Sequence, residues 1–298
     1  MISSGQCTRL AVIFLAVIFL SFSPAALAAE SPFTVGVSIL PQAFFVEKIA
    51  GPNIRILVMV PPGASPATYE PKPRQLAALS GCKIYFAQGL PFEAAWLPRF
   101  KRSNPKMRVV ACYDMVKRVS INPDSSAAGH LGSHMGQSDP HIWLSPPLAI
   151  IEARNISKAL VNEDPSRAGY YRENYRTLVH KIVDLDLKIM ELFDGVGNHN
   201  CFLVYHPAWG YFARTYGLRQ VAVEKGGKAP LAHDLKQLTT FAKKKGFSTL
   251  FIQPQISGHT ARVIANSIGA RLLPLDPLAR QWDENLMEAA KKIRSALR

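Results

Sequence analysis

Eight short apolar runs recur along this chain, at residues 33–38, 54–60, 83–87, 108–112, 201–205, 218–223, 250–253 and 271–275. Stretches with helical periodicity separate most of them. Runs such as IRILVMV and CFLVY are continuously apolar rather than alternating, which marks strands buried on both faces, and strands alternating with helices form parallel sheets with helices on each side. The expected fold class is therefore α/β. The alternation breaks at a Ser-, Gly- and Ala-rich loop over residues 119–138, then at two helical segments, 147–163 and 165–193. Leu178, Ile182, Leu185, Ile189 and Leu192 recur at steps of three and four in the second, which would span roughly 43 Å at ~1.5 Å per residue. The spacing predicts two parallel-sheet lobes, 29–163 and 196–298, joined by one long helix at 164–195, with a ligand cleft between the lobes where strand C-termini face each other.

The first 28 residues belong to neither lobe. Residues 10–22, LAVIFLAVIFLSF, follow Arg9 and precede Ala26-Leu27-Ala28. That apolar run is too short for a comfortable bilayer crossing, and the small-x-small ending is the form signal peptidase cuts after, so export and a mature start near Ala29 are expected. Loss of Arg9 leaves 34 basic and 21 acidic residues, a net charge of +13. No aromatic-and-basic module accompanies that charge, so nucleic acid is not an expected partner, and solvated basic faces account for it. With 48% hydrophobic and 19% charged residues, disorder and collagen-like architectures are excluded for the bulk of the chain. Cys82, Cys112 and Cys201 remain after cleavage, an odd number with no CxxC, and read as free thiols rather than a redox or zinc site.

Chemistry concentrates at the strand ends. Asp139-Pro140-His141 follows the polar loop, His206-Pro207 ends CFLVY, Gln253-Pro254 ends LFI, and Asp276-Pro277 ends RLLPL. Proline stops each strand and fixes the exit direction, so the neighbouring polar side chain stands at the rim. Two imidazoles and one carboxylate presented this way are a plausible donor set for a divalent transition metal, since neutral imidazole suits Zn²⁺ and a carboxylate offsets part of its charge.

Four blocks carry a resemblance to a known family: PPGASPATYEPKP at 61–73, DPHIWLSP at 139–146, VYHPAWGYFARTYGL at 204–218 and LDPLA at 275–279. Together they resemble the metal-binding subunits of ABC importers for zinc and manganese, the periplasmic solute-binding proteins of the ZnuA and TroA type. The resemblance implies a monomeric, non-enzymatic periplasmic carrier that holds one divalent ion in the interlobe cleft and delivers it to a membrane permease. His141, His206 and Asp276 match three of that family's ligand positions, and histidine at 206 resembles the zinc-type members, so Zn²⁺ rather than Mn²⁺ is the expected cargo. The first ligand is missing: the family's GASPH is GASPA here, and Ala67 offers no donor. His134 and His130, in the loop before DPH, are the candidates for the fourth position. The vacancy leaves two other readings, a metal chelate that brings its own donor, or a zinc-dependent hydrolase with Glu70 as base.

Overall fold

The computed structural model describes residues 32–121, 138–197, 199–224 and 232–297. Two four-stranded, all-parallel sheets form. In the first, β1 (Phe33–Val37), β2 (Ile54–Val58), β3 (Cys82–Ala87) and β4 (Arg108–Ala111) lie in the order β2-β1-β3-β4. In the second, β5 (Cys201–Val204), β6 (Arg219–Ala222), β7 (Thr249–Ile252) and β8 (Arg271–Pro274) lie in the order β6-β5-β7-β8. Parallel neighbours need a crossover. Helices α1 (Leu40–Ala50), α2 (Pro73–Leu79) and α3 (Pro91–Ser103) supply it in the first lobe, and α6 (Gly210–Thr215), α7 (Ala232–Lys245) and α8 (Gly258–Ile268) in the second. All eight strands fall within two residues of the expected positions.

In each lobe the chain leaves the central strand in one direction and returns to pair on its other side, as Val37 opposite both Val58 and Phe86 and Val204 opposite both Ala222 and Phe251 show. That reversal is the topological switch point, where open α/β sheets leave a crevice beyond the strand C-termini. His206 lies two residues past the end of β5, at the switch point of the second lobe.

Between the lobes run α4 (Pro146–Glu163) and α5 (Ala168–Phe193), the latter ~39 Å long at 1.5 Å per residue. Its buried face is Leu178, Ile182, Leu185, Ile189 and Phe193. The helix begins three residues later than the sequence pattern suggests. Asp164 accepts hydrogen bonds from Ser166, from Arg167 Nη1 at 2.7 Å and from Tyr171 Oη at 2.8 Å, and holds residues 165–167 in a separate tight turn. α9 (Trp282–Ala296) closes the chain and packs on α5. Its first residue, Trp282, inserts between the lobes with its ring 5.0 Å from Phe45 and 5.8 Å from Phe44.

The main core is continuous across both lobes, joining Phe45, Trp143, Phe212, Phe251 and Trp282, with a smaller cluster around Leu203, Leu250 and Ile264 under α7 and α8. Cys82 and Cys112 are buried free thiols whose pKa values burial raises, Cys82 to about 11, and Cys201 is free and half-buried. No described helix is long and apolar enough to cross a membrane.

Candidate metal centre

His141 is placed by the two residues before it. The Asp139 carboxylate Oδ1 accepts both the His141 backbone N–H at 3.0 Å and the ring Nδ1 at 2.7 Å, so the side chain and the turn are set by one atom. Asp139 is itself anchored: its N–H reaches Val119 O at 2.7 Å and its carbonyl accepts from Tyr211 Oη at 3.2 Å. Gly210 makes room for it, because a Cβ there would stand 3.0 Å from Asp139 Oδ2.

His206 is held in the same way from the other lobe, with Nδ1 2.7 Å from Glu224 Oε2. An ionised carboxylate can only accept, so in a neutral imidazole facing one, Nδ1 carries the hydrogen and Nε2 keeps a lone pair. Both rings therefore present Nε2 as a donor atom for a ligand. This carboxylate–histidine pairing is the arrangement that orients metal-bound imidazoles and raises their basicity.

The two rings lie 5.4 Å apart between centroids, at 73°. Two imidazoles on one tetrahedral Zn²⁺, each with Zn–N near 2.05 Å, would have centroids roughly 5.2 Å apart. The observed centroid spacing is close to that value. His141 is 8% exposed, and its pKa is lowered, first by burial, with the neighbouring His206 adding to the effect and Asp139 opposing it. A lowered value keeps the ring neutral and able to coordinate at neutral pH.

Asp276 follows β8. Its Oδ1 accepts from Leu278 N at 2.9 Å and Gln255 Nε2 at 3.2 Å, and among the described residues nothing hydrogen-bonds Oδ2. A cavity of about 350 Å³ opens beside it, walled by Pro61 to Gly63 of the first lobe and by Gln255, Asp276 and Arg280 of the second. The structure brings His141 and His206 together; among the described residues no three His, Cys, Asp or Glu side chains converge closely enough to hold one ion. His130 and His134 lie outside the described residues. Ala67 and Glu70 are exposed, as are His180, His199, His233 and His259. Trp143 and Trp209 are both buried, and Trp143 packs its ring 5.2 Å from His141.

Glu224 is the residue that inspection of strand ends overlooks. It closes the apolar run Val221 to Val223 on the strand beside β5, but no proline follows it, so the polar-then-proline pattern passes it by. The usable signal was its position: an acidic residue at the end of the strand next to the one that delivers a histidine.

Two α/β lobes with imidazoles meeting at their junction define the architecture of a cleft-type binding protein. Comparison with known proteins fixes the family: residues 35–296 match the model for the zinc-uptake complex component A, periplasmic (ZnuA), and the chain belongs to that family. It is 27% identical over 247 residues to the high-affinity zinc uptake system protein ZnuA of Bacillus subtilis, covering 80% of this chain and 76% of that protein. A putative metal-binding protein of Treponema pallidum is 28% identical over 248 residues, covering 80% and 77%. Among solved structures, a crystal structure of ZnuA superposes with a TM-score of 0.81 at 36% identity, over 90% of this chain and all of that one. A zinc-bound ZnuA carrying a 138-173 deletion gives 0.81 at 37% identity, over 89% and 98%.

Proposed function

We propose that this protein is an exported, monomeric carrier that captures Zn²⁺ between its lobes and hands it to the permease of an ABC importer, without catalysis. The observation that carries this reading is the pair of Nε2 lone pairs, one from each lobe, each aimed by its own carboxylate. His141 and His206 are the principal ligands. Asp276 supplies a third donor through Oδ2, and His134 or His130 fills the position that Ala67 leaves vacant. Two imidazoles favour Zn²⁺ over Mn²⁺, which prefers oxygen donors. The zinc-uptake relative from Bacillus subtilis and the zinc-bound ZnuA structure support the same cargo. Residues 1–28 act as the cleaved export signal.

Calorimetric titration of metal-stripped protein tests the reading. Zn²⁺ should bind the parent with 1:1 stoichiometry and more tightly than Mn²⁺. His141→Ala and His206→Ala should each weaken Zn²⁺ by about a hundredfold or more, the loss of one of few strong donors. Tight Zn²⁺ binding that survives both substitutions together would overturn it.

A further inference from the structure

The segments that carry His141 and Asp276 are joined directly, by a pair of tryptophan hydrogen bonds that cross from one lobe to the other. Trp143 lies two residues beyond His141 and is fully buried, and its Nε1–H donates to the carbonyl of Pro277 at 2.7 Å. Pro277 is the residue after Asp276. In return Trp282 Nε1–H donates to the carbonyl of Trp143, also at 2.7 Å. Trp282 is 2% exposed and packs against the Phe44 and Phe45 rings of α1. Each indole has one donor and no acceptor, so a buried indole needs a carbonyl, and here both carbonyls belong to the segments that carry site residues.

The linkage matters because neither segment is regular structure. His141 precedes a single tight turn at residues 142–144, and Asp276 sits in the stretch between β8 and α9. The long helices fix the lobes at large scale, but a donor set needs placement within about 0.5 Å. Asp276 is further pinned by Leu278 N at 2.9 Å on its side chain and by Asn285 Nδ2 at 2.8 Å on its carbonyl. From the His141 ring to the Asp276 carboxylate the path is two residues of chain, one buried hydrogen bond and one peptide unit.

We infer that Trp143 and Trp282 are positioning residues for the bound ion: their reciprocal hydrogen bonds set the distance between the His141 donor and the Asp276 donor, and so the coordination geometry the cleft imposes. The inference rests on the zinc-carrier reading and deepens it. Trp143→Phe removes the N–H and keeps most of the ring, while replacement of Trp143 by β-(3-benzothienyl)alanine keeps the bicyclic volume and removes only the donor.

The test uses the intact metal-stripped protein, with Co²⁺ as a spectroscopic probe and Zn²⁺ competition against a chromophoric chelator. Loss of the Trp143 donor should shift the d–d absorption of saturating Co²⁺ and weaken Zn²⁺ about tenfold in both replacements, and Trp282→Phe should do the same to a smaller degree. A Co²⁺ spectrum and Zn²⁺ affinity identical to the parent in the folded benzothienyl variant would overturn the inference. So would weaker binding with an unchanged saturated spectrum, since that is what a purely structural role produces. Failure of the carrier reading looks different: the parent itself would bind neither ion in a manner sensitive to His141→Ala.

Discussion

Each lobe ends its central strand next to a polar residue, Ser38 after β1 and His206 after β5, and the two are put to opposite uses. The strand orders are the same, so the four strand ends correspond one to one. In the first lobe the ends of β1 and β3 open onto a closed network. Glu93 accepts the backbone N–H groups of Gln88, Gly89 and Leu90 at 2.8, 2.7 and 3.2 Å and the Ser38 hydroxyl, and Gln42 and Gln88 extend the chain of bonds to Glu152. Gly89, at φ +79°, is what allows three consecutive N–H groups to turn toward one carboxylate. In the second lobe the corresponding ends are followed by His206, Glu224, Gln255 and Asp276; His206 packs against His141, and Gln255 and Asp276 wall the cavity shared with Pro61 to Gly63 of the first lobe. The lesson is that topology supplies the crevice and residue choice decides whether it is sealed with hydrogen bonds or left able to coordinate. Duplication of architecture here carries no duplication of chemistry.

The comparison predicts a double dissociation, and the largest effect is on folding in the first lobe. Glu152 is fully buried, with Oε1 unpartnered among the described residues, and burial raises its pKa from 4.5 to about 8. Folded protein therefore keeps this proton across a range where the unfolded chain has lost it. The contribution is full below pH 4.5 and declines as pH rises, by roughly 1.4 kcal/mol per unit, until it is gone above about pH 8. Glu152→Gln lacks that slope. Denaturant unfolding at pH 5, 6, 7 and 8 should show the stability of the parent falling relative to the variant, with Zn²⁺ affinity unchanged; a constant difference across the series would refute it.

Next in size, and confined to metal binding, is Glu224→Gln. Removing the charge that orients His206 should weaken Zn²⁺ by about tenfold or somewhat more, while the melting temperature of the metal-free protein barely moves. If affinity holds and stability drops, Glu224 belongs with the first lobe's structural carboxylates. The smallest expected effect is a gain. Ala67→His places an imidazole at the position the sequence resemblance assigns to the missing first ligand, in the loop whose start walls the cavity beside Asp276, and Zn²⁺ should bind about tenfold tighter by competition titration. No change would mean that the loop stays away from the ion.

Much of this was legible in the chain because parallel strands covered by helices write themselves as apolar runs, even where, as in RLLP, the strand ends are exposed. FTVGV, CFLV and RLLP each became a strand where the composition put one, and DPH and the histidine after CFLVY identified both converging imidazoles. What stayed hidden depends on side chains meeting across sequence. The network from Ser38 to Glu152 uses polar residues that, taken singly, read as ordinary helix and loop positions. Glu224 lacked the proline that marked its counterparts. Asp164 delayed the start of α5 through three side-chain hydrogen bonds that no periodicity encodes. The reciprocal Trp143 and Trp282 bonds join positions 139 residues apart.

The central claim is that one ion sits between the Nε2 atoms of His141 and His206 while Asp139 and Glu224 keep hold of the opposite nitrogens. Crystals of the protein grown with Zn²⁺, measured on both sides of the zinc absorption edge, test it most directly. The account predicts one strong anomalous peak ~2.0–2.1 Å from both Nε2 atoms. A peak bound to neither ring, or bound through Nδ1 with the carboxylates displaced, would contradict it.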